Sequence, residues 1–170
     1  MKIRISLLRQ TLDLFDDTGK CQRSYTVSTS KVGAGEQRGS NCTPRGRHIV
    51  RAKIGAGQPE NAVFVRRRPT GEIFSRELAD RHPGRDWILT RILWLSGCEP
   101  GRNRLGDVDT MRRFIYIHGT PDGSELGRPG SIGCVRMRNR DIVDLFDLTP
   151  AGTTDRKSTR LNSSHLGISY

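Results

Sequence analysis

Glycine and proline punctuate this chain so closely that no apolar stretch runs far between them, and this limits what it can fold into. With 19 glycines and 8 prolines in 170 residues, long helices are interrupted before they form, because both are poor helix interiors. Short strands joined by turns are what such a chain allows. Ile3 to Leu7 alternates apolar and polar side chains in the period of a half-buried strand. Gln10 to Phe15 continues in the same style, and Asp16-Asp17-Thr18-Gly19 reads as a turn. Residues 24–30, SYTVSTS, are β-prone, and a glycine-rich loop, VGAGEQRGSNCTPRG, follows them. Further strand candidates are His48 to Ile54, Val63 to Arg67, Trp87 to Leu95 and Arg113 to His118. One helix stands out late, with Asn139 as N-cap, Asp141 in its first turn, and Ile142, Val143, Leu145 and Phe146 along one face. The expected fold is mostly β, a sandwich or barrel-like core with one or two short helices.

At 19.1 kDa the chain has room for one domain with a real core. No run approaches about 18 consecutive apolar residues, so a membrane span is not expected. The opening residues, MKIRISLLRQ, place Lys2, Arg4 and Arg9 among the apolar positions and lack the apolar run of a secretory signal. A net charge of +11 favours polyanionic partners. The basic residues are scattered, however, with Arg66-Arg67-Arg68 the one run of three, and aromatics at 6% are too sparse for a stacking platform. Nucleic acid is therefore not an expected partner. The cysteines at 21, 42, 98 and 134 lack the two-residue spacing of zinc or redox motifs, so no metal and no cofactor is expected. Cys21, Cys42 and Cys98 read as buried or idle thiols.

From Asp155 the chain reads DRKSTRLNSSHLGISY, which resembles translated sequencing-adapter read-through. The expected organisation is one domain over 1–154 and a non-native tail over 155–170.

The stretch that carries chemistry is Ile115-Tyr116-Ile117-His118-Gly119-Thr120, followed after a polar loop by Ser131-Ile132-Gly133-Cys134-Val135-Arg136-Met137. A histidine near the end of an apolar strand is held by a rigid element. A cysteine after Gly133 can approach a substrate closely, with backbone N–H groups beside it to meet an oxyanion. The imidazole is a base suited to a thiol at neutral pH. On spacing alone this is a candidate dyad, and a satisfied strand histidine beside a buried thiol explains the same residues.

IHGTPDG and LGRPGSIGCVRMRN resemble the catalytic signature of the YkuD-type L,D-transpeptidases, a His-Gly followed by Ser-x-Gly-Cys-x-Arg. VSTSKVGAGEQRGSNCTPRGRHIV and NRLGDVDTMRRFIYIHGT extend the resemblance over nearly all of 1–154. It implies a mostly β catalytic domain, an enzyme of the cysteine acyltransferase or peptidase type, and stem peptides of peptidoglycan as partners. It implies Cys134 as nucleophile, His118 as base and Gly119 as the residue orienting His118. Ile132, Gly133 and Cys134 would offer oxyanion N–H groups. Arg136 would hold a substrate carboxylate or serve as a structural ion pair, with Ser131 and Tyr116 as cleft residues. Transpeptidation is the expected activity. A carboxypeptidase using water as acceptor and a silent wall-binding domain are the alternatives. Two departures stand out: Ile132 replaces the histidine common in the motif, and the closing strand after Pro150-Ala151-Gly152-Thr153 is expected to be missing. The family works outside the cytoplasmic membrane, whereas the start of the chain shows no export signal, which leaves a cytoplasmic place open.

Overall fold

A computed structural model describes residues 1–150 and 165–169. Its strands are β1 (Lys2–Ser6), β2 (Thr11–Phe15), β3 (Cys21–Ser28), β4 (Gly46–Ile54), β5 (Ala62–Val65), β6 (Arg68–Ile73), β7 (Ile88–Gly97), β8 (Tyr116–Thr120), β9 (Val135–Arg138) and β10 (His165–Ser169). Two helices accompany them, α1 (Arg76–Arg81) and α2 (Asn139–Leu148). The strands form one sheet in the order β4-β10-β1-β2-β3-β9-β8-β7, and β7 pairs back onto β4, which closes it into a barrel. The β5–β6 hairpin hangs from the free part of the same β7 edge, through Val63 and Phe64. The mostly β class with two short helices is what the sequence led us to expect.

Alternation builds the core. Ile3 and Ile5 on β1, Leu12 and Leu14 on β2, Val50 on β4, Leu93 and Leu95 on β7, Ile117 on β8, and Val135 and Met137 on β9 are all fully buried in one cluster. Helix α2 adds Ile142, Leu145 and Phe146 to it, packing on β7, β8 and β9. Each such side chain contributes roughly 1.5–3 kcal/mol relative to exposure. A second cluster of Ala62, Phe64, Ile92 and Tyr116 lies where the β5–β6 hairpin meets β7 and β8, and half-buried Trp94 and Cys134 pack against it.

Three local expectations are corrected. The closing strand is present: β10 fills the gap between β1, with which it runs parallel, and β4, with which it runs antiparallel. Leu166 and Ile168 alternate inward and are buried, so this short segment has the period-2 pattern that two open strand edges require. The expected boundary between 154 and 155 lies outside the described residues. Asn139 is the first residue of α2 rather than its N-cap, a position Arg138 takes without a side-chain bond. The strand expected from Arg113 starts at Tyr116 instead, because Phe114 holds a left-handed φ of 57° that breaks the extended run.

Candidate active site

The parallel pairing of β8 with β9 assembles the site. Ile117 lies opposite Val135 and His118 opposite Arg136. Because side chains alternate, Ile117, Val135 and Met137 point into the barrel while Tyr116, His118, Cys134 and Arg136 share the other face. A loop and a strand separated in sequence thus bring the thiol and the imidazole to one sheet face, with His118 opposite Arg136 and Cys134 beside Tyr116.

His118 is fully buried, and its Nδ1 donates to the carbonyl oxygen of Gly119 at 2.6 Å. That bond fixes the tautomer with the lone pair on Nε2. Nε2 is buried and has no hydrogen-bond partner among the described residues, Cys134 Sγ included. Burial, the largest influence, holds the imidazole below its ordinary range, against the opposing pull of the Gly119 bond and the Asp86 charge. Gly119 has no room for a side chain: a Cβ there would stand 2.5 Å from Asn139 Oδ1 and 2.6 Å from the Leu89 carbonyl oxygen.

The Cys134 sulfur accepts the Tyr116 N–H at 3.3 Å and donates to the Phe114 carbonyl at 3.5 Å. Burial pushes the thiol up to about 12, while the Tyr116 N–H and the Arg136 and Arg113 charges pull the other way. The resting pair is therefore a neutral thiol and a neutral imidazole.

The loop before Cys134 is tied down from two sides. Ser131 is buried; its Oγ donates to the Cys134 carbonyl and accepts the Gly133 N–H at 3.2 Å. Thr43, from the Thr-Pro-x-Gly turn, accepts the Ser30 N–H and donates to the Gly133 carbonyl. Gly133 holds φ at 130°, which a side chain would strain. Of the three N–H groups expected to face an oxyanion, that of Gly133 is thus committed to Ser131. Those of Ile132 and Cys134 make no bond to the described residues.

Arg136 is an ion pair: Nη2 meets Asp86 Oδ1 at 2.8 Å, and Nη1 donates to the Gly130 carbonyl. Tyr116 is buried, and its hydroxyl accepts from Arg67 Nη1 at 3.0 Å. Ile132 is half exposed and lines a cavity of about 750 Å³ together with Trp94, Arg113 and Phe114. All described cysteines are free; Cys21 is exposed, not buried, and Cys42 and Cys98 are half-buried.

Three contributors escaped sequence reasoning. Arg113 donates to the carbonyls of Gly35, Glu36 and Cys42, holding the glycine loop beside the cavity. Asn139 donates to the Thr120 carbonyl and Asn61 Oδ1 and accepts from Thr90 Oγ1, which buttresses the end of β8. Arg67 reaches the site from the β5–β6 turn. The asparagine had a legible signal, a polar residue on an apolar helix face; the two arginines had none.

In class, this is a closed, mostly β domain that presents a buried imidazole from one strand and a thiol from the loop leading into its parallel neighbour. The chain belongs to the YkuD family of L,D-transpeptidase catalytic domains, whose pattern matches residues 1–157. It is 43% identical over 87 residues to the YkuD protein of Bacillus subtilis, covering 50% of this chain and 42% of that one. It is 49% identical over 46 residues to the YkuD protein of Bacillus licheniformis, covering 27% and 28%. The alignments thus span less than half the length of these curated relatives. In fold it resembles an L,D-transpeptidase of Xylanimonas cellulosilytica, with a TM-score of 0.51 at 19% identity over 98% of this chain and 59% of that one. L,D-transpeptidase 3 of Mycobacterium tuberculosis gives 0.56 at 13% identity over 99% and 60%.

Proposed function

We propose that this chain is a peptidoglycan L,D-transpeptidase in which Cys134 is the nucleophile and His118 the base. The observation that carries the reading is the unpartnered, buried Nε2 of His118, left with its lone pair by the Gly119 bond and set on the same sheet face as the Cys134 thiol. A neutral thiol beside a neutral imidazole suits proton transfer in step with attack. As Sγ bonds to the carbonyl carbon of meso-diaminopimelate, in the peptide bond that joins it to D-alanine in a tetrapeptide stem, its proton passes to His118 Nε2. The carbonyl oxygen becomes an oxyanion, met by the Ile132 and Cys134 N–H groups; a donor of this kind is worth about 3–4 kcal/mol. Collapse breaks the bond to D-alanine, whose amine leaves with the proton from His118, and a thioester remains. An acceptor amine then attacks the thioester, gives its proton to His118, and restores the thiol. Sγ and Nε2 make no hydrogen bond in the resting site, so a side-chain adjustment on substrate binding precedes the first step.

The test is mass spectrometry of products from a disaccharide-tetrapeptide mixed with a D-amino acid, using the full chain because β10 belongs to the barrel. Exchange of the terminal D-alanine for the added amino acid, lost in Cys134→Ala, is the expected result. A Cys134-dependent tripeptide instead identifies a carboxypeptidase. Neither product from a folded chain overturns the catalytic reading in favour of a wall-binding domain.

A further inference from the structure

We propose that Arg67 recognises a carboxylate of the stem peptide, an inference that rests on the reading of the site just given. Arg67 comes from outside the strands that carry the thiol and the imidazole. Residues 66 and 67 are the two-residue turn between β5 and β6, with φ of 49° and 65°. Such turns ordinarily use asparagine or glycine, because left-handed backbone is unfavourable for a residue with a long side chain. Two arginines held there are a strain that local sequence does not explain.

What the turn achieves is placement. The Arg67 guanidinium lies 4.4 Å from the Trp94 ring centroid and 5.2 Å from that of Phe114, and its Nη1 donates to the Tyr116 hydroxyl at 3.0 Å. All three partners belong to the site. Trp94 and Phe114 line the cavity, and Phe114 and Tyr116 hold the Cys134 sulfur through their backbone. The guanidinium and the sulfur are thus bridged by a single tyrosine, hydroxyl at one end and backbone N–H at the other.

Among the described residues Arg67 has no carboxylate partner, whereas Arg136 is already spent on Asp86. A guanidinium stacked on aromatic faces keeps its remaining N–H groups in its own plane, the geometry that a carboxylate accepts. The stem offers two near the scissile bond, one on the diaminopimelate side chain and one on the terminal D-alanine. Either is within one residue of the attacked carbonyl.

The test is calorimetric binding of a disaccharide-tetrapeptide to the full chain carrying Cys134→Ala, alone and with Arg67→Gln or Arg67→Lys. Circular dichroism confirms folding of each protein. Arg67→Gln is expected to weaken binding about tenfold, as loss of a charge-assisted hydrogen bond does, with Arg67→Lys in between. Peptides amidated at one carboxylate or the other show which is engaged, because the effect of Arg67→Gln vanishes for that peptide. Equal binding with and without Arg67→Gln, the same weakening for every peptide including the doubly amidated one, or no binding at all overturns the proposal. D-alanine release by the chain with Cys134 intact is recorded in parallel. Its absence, with Arg67-dependent binding retained, overturns the transpeptidase reading and leaves the carboxylate site standing.

Discussion

At the scale of residues, burial keeps Cys134 and His118, the two groups proposed to react, neutral in the free protein. Burial raises the Cys134 thiol to about 12 and lowers the His118 imidazole, so neither ionises near neutral pH. The proposed nucleophile is a thiol in the free protein although Cys134 is only half-buried and near Arg136 and Arg113, because desolvation of the sulfur outweighs those charges. Alkylation of Cys134 in the free protein should therefore be slow at pH 7 and still rising above pH 10, when followed site by site with peptide mass mapping. A plateau near the ordinary thiol value of about 8.5 would contradict this assignment. Turnover should fall on the acid side only below about pH 6.5, since the proposed base must be neutral and its folded value lies under the ordinary one.

At the scale of elements, β10 decides whether the barrel is closed. It supplies Leu166 and Ile168 to the core and pairs on both sides, with β1 and with β4. Removing it would leave two edges with unpaired backbone groups and an opening over Ile3 and Val50. Leu166→Ala combined with Ile168→Ala should cost about 4 kcal/mol or more of stability, the usual result of emptying two buried aliphatic positions. Urea denaturation followed by circular dichroism measures it. A loss below about 1 kcal/mol would show that β10 contributes little to the fold. The same scale explains Asn139: the start of α2 is used to fasten β8 rather than to cap the helix, and the polar network it makes with Thr90 and Asn61 is buried next to Gly119.

At the scale of the whole molecule, stability should fall in mild acid. His48 is fully buried, donating from Nδ1 to the Gly46 carbonyl and accepting from the Thr110 hydroxyl at Nε2, and burial lowers its pKa to about 4. The unfolded chain takes up that proton near pH 6.5, before the folded chain does. The stabilisation is thus complete above about pH 6.5 and is lost as pH falls towards 4, by roughly 3 kcal/mol for His48 alone. His118 acts in the same direction, and the net charge of +11 grows more positive as acid is added. The urea midpoint should drop steadily between pH 7 and pH 4, and His48→Gln should flatten part of that slope. An unchanged midpoint over this range would show that both imidazoles can charge inside the fold.

Most strands and one helix were legible in the sequence, because each rests on local pattern, and Cys134 and His118 were singled out there as candidates. Ile3-Arg4-Ile5 reads as a strand from its own alternation, and a Gly-Cys segment downstream of a His-Gly reads as a candidate site from residue chemistry. Backbone period and side-chain type are properties of a few neighbouring residues. What the tertiary structure alone decided is which edges meet. The parallel register of β8 and β9 puts Cys134 and His118 on one face, and Arg136 finds Asp86 fifty residues away. A strained turn lays Arg67 over Trp94, and β10 enters between β1 and β4. Pairing partners are chosen by burial and backbone hydrogen bonding summed over the closed sheet, and no short window of sequence contains that sum.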